Sequence, residues 1–321
     1  EKFKNLQISQ NVFIYPTNSS KFSYFKKAYN ISKEIIENHF IDFITSQDGF
    51  TNLVAIRLKR KFKNIKLQIQ IHTDFLSKKF KRESLKNFLR FIGYINGIKK
   101  ADCIRVVSEK MKNNLIQRFG IDPVKIFILP IFVDIEKIKN TPITLDLHKK
   151  YPQFEKIILI VSRLEKEKNI PLAISAMKDV VKKYPKTGLI IVGDGSKRKT
   201  FELKVESENL KENIVFDGWQ EKQVVYSYYK TADLFLVTSD YEGYGLTIIE
   251  ALATGLCVLS TDVGIAHEIG AIIVDRDSMV ENIVKHIEDK PISRPTLDIE
   301  YLYKNKQDYL EKFKESFICV S

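Results

Sequence analysis

Two acids, Glu242 and Glu250, stand eight residues apart in the stretch "SDYEGYGLTIIEALATG" (239–255). Loop glycines running into a helical pattern make an anion site: the first N–H groups of a helix have no partner inside it, and the peptide dipoles favour negative charge there. A carboxylate at the mouth of such a loop is repelled by a phosphate unless it binds something else. Sugar hydroxyls are such a partner, and Glu242 has that position. Glu250 carries two readings, because Thr247-x-x-Glu250 also has the form of a capping box, which needs no ligand.

A second pair of charges points the same way. Arg163 and Lys168, in "VSRLEKEKN" (161–169), directly follow a strand-like run. Open α/β sheets bind ligands at the carboxyl ends of their strands. Taken alone, both cations read as solvated. Together with an anion-accepting helix start in the same sheet, they suggest a diphosphate held from two sides. His72 closes the run "KLQIQIHT"; a lone histidine at a strand end is ordinarily structural.

The elements that must position these residues alternate. In the second half, β-branched runs at 157–162, 189–193, 214–216, 234–239, 257–260 and 271–274 are separated by helical patterns. Buried strands alternating with amphipathic helices mean βαβ units and a parallel, doubly wound sheet. Asn169 and Pro171 mark one helix start. Leu172, Ala173, Ala176, Met177, Val180 and Val181 then form its core face. The first half has strand-like runs at 11–16, 40–46, 66–73, 103–108 and 125–130, and helical patterns at 31–38, 50–62, 75–99 and 108–119. The stretch 139–154, with two prolines, reads as a linker. The basic amphipathic segment 75–100 has two readings: a helix packed on its own sheet, or one lying on an anionic membrane.

Four segments in order, "VSRLEKEKN", "IIVGDGSKRK", "VFDGW" and "ADLFLVTSDYEGYGLTIIEALATG", resemble the nucleotide-sugar domain of retaining glycosyltransferases of the GT-B fold, family 4 (group 1) type. In the first half, "QIHTDF", "ADCIRVVSEKM" and "KIFILPIFVDIEKI" are similar to that family's acceptor domain. The resemblance spans roughly residues 40–270. It implies an α/β architecture of two Rossmann-like parallel-sheet domains facing across a cleft: 1–145 on the acceptor side, 146–299 binding the nucleotide-sugar, and a C-terminal helix in 300–321 returning to the first domain. It implies that Arg163, Lys168 and the N–H groups of Leu246 and Thr247 hold the diphosphate, with Gly193 and Gly245 in the donor loops. Glu250 would then take the ribose hydroxyls, Gly218 and Trp219 the base, and Glu242 and His72 the donor sugar. The implied reaction is transfer with retention to a hydroxyl acceptor, lipid-linked or a polysaccharide precursor, with the leaving phosphate taking the acceptor's proton. No cofactor or metal is implied beyond the nucleotide-sugar itself, and "DRD" (275–277) reads as a turn. The family's opening glycine-rich loop has no counterpart here, so the first domain is expected to lack its start. Val263 also replaces a usual glycine.

Charge and composition bound the alternatives. Residues 1–150 hold 29 Lys+Arg against 13 Asp+Glu, whereas the remainder holds 23 against 27. A basic half suits an anionic membrane surface, a phosphorylated acceptor or nucleic acid. No RNA- or DNA-binding signature accompanies it, so a specific nucleic-acid partner is not expected. No apolar run approaches the ~18 residues of a membrane span. Cys103, Cys257 and Cys319 are odd in number and widely spaced, which fits free thiols in a reducing cytoplasm. The expected location is cytoplasmic, including the inner face of the membrane. The competing readings are a catalytically impaired nucleotide-sugar-binding or membrane- or polyanion-docking protein, a GT-B epimerase or phosphorylase, and a nucleic-acid binder without sequence specificity.

Overall fold

The structure is a computed structural model that describes residues 23–288, 297 and 303–317, with the backbone of two short strands before them. It divides into two compact units: the chain up to Leu129 together with the residues from Glu311 onward, and Pro130–Leu310.

In the first unit, β1 (Leu6–Ser9) and β2 (Val12–Ile14) form an antiparallel pair. The main sheet consists of β3 (Phe43–Ser46), β4 (Lys66–Ile71), β5 (Cys103–Val106) and β6 (Ile126–Ile128), all parallel and in chain order. Leu67, Ile69 and Ile71 of β4 are fully buried, and so are the alternating Gln68 and Gln70, so the strand is covered on both faces. The helical pattern at 75–99 resolves into two helices, Lys78–Glu83 and Leu85–Lys100. Ser84 breaks it: its backbone is extended and its hydroxyl caps the second helix by accepting from the N–H of Asn87 at 3.1 Å. That helix lies unusually close to helix Gly49–Lys61. A Cβ built on Gly93 would sit 1.9 Å from the carbonyl oxygen of Gly49, so only glycine permits the approach. From the C-terminal stretch, the carbonyl of Ser316 accepts from Gln68 Nε2 at 2.6 Å, and the Phe313 ring lies 5.0 Å from the Arg105 guanidinium.

The second unit has six parallel strands: β7 (Lys156–Val161), β8 (Thr187–Val192), β9 (Ile214–Gly218), β10 (Leu234–Val237), β11 (Val258–Ser260) and β12 (Ile272–Ile273). Their order is β12-β11-β10-β7-β8-β9, so the chain winds one way from β7 to β9 and the other way from β10 to β12. The reversal lies between β7 and β10, the place where doubly wound sheets open a crevice at their carboxyl ends. Helix Ile170–Lys183 buries Ala173, Ala176, Met177 and Val180 against Ile158, Ile160, Leu189 and Ile191. Full burial of Met177 alone contributes roughly 2 kcal/mol.

The stretch 139–154 is not a linker. Leu147 and Phe154 are buried, Thr144 N–H donates to Ser227 Oγ at 2.9 Å, and residues 147–150 form a short helix. Val133 and Ile138 are also buried, and the two compact units divide at Leu129–Pro130. Among the described residues no helix is long and apolar enough to cross a membrane.

Candidate active site

The sheet reversal brings the loops after β7 and β10 side by side. Asp240 N–H donates to the Glu167 carbonyl at 2.7 Å and Thr238 Oγ1 donates to the Lys168 carbonyl at 2.9 Å. Asn169, with φ 47°, precedes helix Ile170–Lys183 but makes no side-chain cap; its Nδ2 donates to Asp240 Oδ1 at 3.1 Å. This stitching fixes Lys168 Nζ 2.5 Å from Glu242 Oε1, and Ser239 Oγ donates to the same oxygen at 2.7 Å. The two residues predicted to meet the diphosphate and the sugar therefore meet each other. Arg163 is exposed and pairs with Glu167 at 3.0 Å.

Gly245, with φ 99°, leads into helix Leu246–Ala253. An α-helix leaves the first N–H groups without an intrahelical acceptor, here those of Leu246 and Thr247. The capping box is absent: Thr247 is inside the helix rather than at its cap, and the cap position carries no side-chain hydrogen bond. Glu250 is instead a mostly buried carboxylate facing a neighbouring helix, Lys222–Thr231. Tyr229 Oη donates to Glu250 Oε2 at 3.3 Å, and Lys222 Nζ lies 3.3 Å from Oε1. Lys222 and Tyr229 are seven residues apart, hence on one face of that helix. Burial raises the Glu250 pKa, opposed by Lys222 and Tyr229. Neither partner was singled out in the sequence, since no spacing links the two helices.

Gly193, with φ 125°, donates its N–H to the Gly218 carbonyl at 2.7 Å. A Cβ there would lie 1.9 Å from the Ser162 carbonyl oxygen, so glycine is required for the loops after β7 and β8 to touch. Trp219 follows β9 with 71% of its surface exposed, free to stack on a planar ring. Asp275 takes two hydrogen bonds from Ser278, at 2.7 Å from its N–H and 2.7 Å from its hydroxyl, which makes "DRD" the start of a turn. Among the described residues no three His, Cys, Asp or Glu side chains converge as a metal site would need. Val263 is buried in the loop after β11.

His72 belongs to the first unit, at the carboxyl end of β4. Its Nε2 is 3.2 Å from Gln70 Oε1, which also accepts from Arg105 Nη1 at 3.0 Å and Gln47 Nε2 at 3.3 Å. A guanidinium has no acceptor, so the Gln70 atom facing it is the oxygen, and His72 must donate from Nε2. The other ring nitrogen, Nδ1, is buried without a protein partner. Burial, aided by the Arg105 charge, lowers the His72 pKa to about 4. The ring is neutral at pH 7, with Nδ1 a bare acceptor.

The sequence pattern of Glycosyltransferase Family 4 matches residues 6–137, and that of Glycosyl transferases group 1 matches residues 146–291. An uncharacterized glycosyltransferase of Methanocaldococcus jannaschii is 28% identical over 79% of this chain and 62% of its own length. The UDP-Gal:alpha-D-GlcNAc-diphosphoundecaprenol alpha-1,3-galactosyltransferase of Escherichia coli is 25% identical over 89% of this chain and 74% of its own. The alpha-monoglucosyldiacylglycerol synthase of Streptococcus pneumoniae is 25% identical over 75% of this chain and 56% of its own. The chain thus spans between half and three quarters of these relatives' lengths. Among solved structures, the sucrose-phosphate synthase of Thermosynechococcus elongatus superposes with a TM-score of 0.76 at 21% identity, covering 98% of this chain and 81% of that one. Anabaena HepE, solved with UDP and glucose, gives 0.71 at 18% identity, covering 94% and 82%. The two sequence patterns, which together span most of the chain, and the fold they share with these structures place it in the group 1, family 4 glycosyltransferases of the GT-B fold.

Proposed function

We propose that the protein transfers a hexose from a nucleoside-diphosphate sugar to a hydroxyl of a lipid-linked acceptor, with retention and without a metal. The observation that carries this reading is the convergence of Lys168, Glu242 and the N-terminus of helix Leu246–Ala253 at the sheet reversal. The diphosphate lies against those helix N–H groups with Arg163 and Lys168 around it. Glu250 accepts from the ribose hydroxyls, the base meets Gly218 and Trp219, and Glu242 accepts from sugar hydroxyls. His72, in the first unit, offers a bare Nδ1 that can accept from a sugar hydroxyl.

In the reaction, the bond between the anomeric carbon and the phosphate oxygen breaks, and the acceptor oxygen bonds to that carbon on the same face. The acceptor's proton passes to the departing phosphate. Negative charge builds on the diphosphate, so fixed cations and amides aimed at it supply the main stabilisation. The galactosyltransferase and diacylglycerol-synthase names of the relatives support a lipid-borne acceptor. The test is release of nucleoside diphosphate from a panel of UDP-, GDP- and ADP-sugars, with polyprenyl-diphosphate-sugar or diacylglycerol acceptors, with and without EDTA. Acceptor-dependent release unaffected by EDTA supports the reading; donor binding with no release on any acceptor contradicts it.

A further inference from the structure

Helix Leu85–Lys100 is fixed on one side and bare on the other. Gly93 and Gly97 press it onto helix Gly49–Lys61, with Tyr94 and Ile98 buried on that side. The opposite side presents Leu85 at 75% exposure, Phe88 at 46%, Leu89 at 46% and Ile92 at 39%. Scattered exposed apolar residues are ordinary. Spacing i, i+3, i+4, i+7 is different, because it is the stripe a helix normally turns toward a core. Exposed cations flank the stripe: Lys78, Lys79, Arg82 and Lys86 near its start, Lys99 and Lys100 at its end. Residues 78–100 contain eight Lys+Arg and one acid, Glu83.

We infer that this face docks on an anionic lipid bilayer. The apolar stripe sinks into the boundary between headgroups and acyl chains, and the lysines and arginine meet lipid phosphates. The charges decide among occupants. A second copy would set six exposed cations against six, and an uncharged protein groove would leave them unused. A nucleic acid would use the cations and could stack a base on Phe88, but offers little to Leu85, Leu89 and Ile92, which are the larger part of the stripe. The excess of positive charge over residues 1–150 adds attraction at long range. The choice of a bilayer rests in part on the transferase reading, with its lipid-borne acceptor. Binding itself needs neither donor nor turnover, so the two stand or fall separately.

The test is co-sedimentation of the full chain with vesicles of phosphatidylcholine containing about 30% phosphatidylglycerol, and with pure phosphatidylcholine. The wild type should partition at least about tenfold more strongly into the anionic vesicles, and about 0.5 M salt should weaken it. The variant Leu85→Ser/Phe88→Ser/Leu89→Ser should lose about tenfold or more of that partitioning with an unchanged melting temperature. Independently of that variant's folding, Phe88→Trp should add a fluorescence component that shifts to the blue on anionic vesicles. Sedimentation with neither vesicle overturns the inference. So does an unshifted emission from the Phe88→Trp variant, or a self-association abolished by the serine variant without vesicle binding.

Discussion

Lys168 Nζ lies 2.5 Å from Glu242 Oε1, with the two side chains only 14% and 16% exposed, at the point where the second sheet reverses its winding. One is the cation expected at the diphosphate and the other is the carboxylate expected at the sugar. Without a donor they neutralise one another. On the proposed reading, a donor exchanges these partners: phosphate oxygens take the place of Glu242 on Lys168, and sugar hydroxyls that of Lys168 on Glu242. A pair this little exposed carries a desolvation penalty that the contact only partly offsets, which keeps the exchange within reach of a ligand's binding energy.

That exchange separates the effects of two substitutions. Lys168→Ala should lower kcat by ~10²–10³, as loss of one preorganised donor to a developing anion does. Glu242→Gln should also depress turnover, yet it removes the competitor for Lys168. Free nucleoside diphosphate should then bind a few-fold more tightly by calorimetry; weaker binding in Glu242→Gln would show that the pair does not compete with the ligand.

Glu250 gives a pH-dependent prediction. Burial raises its pKa above the ordinary 4.5, so in the fold it takes a proton sooner as pH falls. The folded state binds that proton more tightly than the unfolded chain, so the cost of burying the charged carboxylate is present at neutral pH and relieved on acidification through the raised value. Glu250→Gln should remove that term: denaturant melts should show it gaining on the wild type at pH 7 and not near pH 4. With Glu250 on the ribose hydroxyls as proposed, donor affinity of the wild type should already weaken as pH falls toward 4.5 and be insensitive to pH in the variant.

His72 shows the opposite sign. With a folded pKa of about 4 against 6.5, the unfolded chain takes the proton first, so stability is lost as pH falls from 6.5 toward 4. A shift of that size is worth up to about 3 kcal/mol. His72→Asn should flatten that acid limb in denaturant melts. Nitrogen-15 spectra should show a neutral Nε2–H tautomer at pH 7, locked by Gln70; an Nδ1–H ring, or titration near pH 6.5, would refute the assigned hydrogen bonding.

Gly193→Ala tests the loop geometry. Its φ of 125° and the 1.9 Å approach to the Ser162 carbonyl leave no place for a methyl group. Loss of about 2 kcal/mol or more is expected from strain and displaced backbone. A melting temperature equal to the wild type would contradict the close contact of these two loops.

The strands and the switch-point loops were legible because buried parallel strands read as continuous apolar runs, and because the anion-binding pattern is local to one turn. What depended on distant partners was not. Thr247-x-x-Glu250 reads as a cap until Gly245 is seen to hold the cap position, with Lys222 and Tyr229 turning Glu250 away from that duty. The prolines of 139–154 suggested a linker, whereas the burial of Leu147 and Phe154 depends on the surface of the second unit. The alternation of "QIQIH" is that of a strand with one wet face. Its polar side is buried by Arg105, Ser316 and Phe313, a pairing that only the fold assembles.

The most direct test of the central claim is thermal unfolding of the wild type and Glu250→Ala against UDP-, GDP- and ADP-sugars, each with and without EDTA. At one hundred times its Kd, the true donor should stabilise the wild type by ~2.7 kcal/mol, the variant far less, and EDTA should change neither. No stabilisation of the wild type by any of them, or equal stabilisation of the variant, would contradict a nucleotide-sugar site at the sheet reversal.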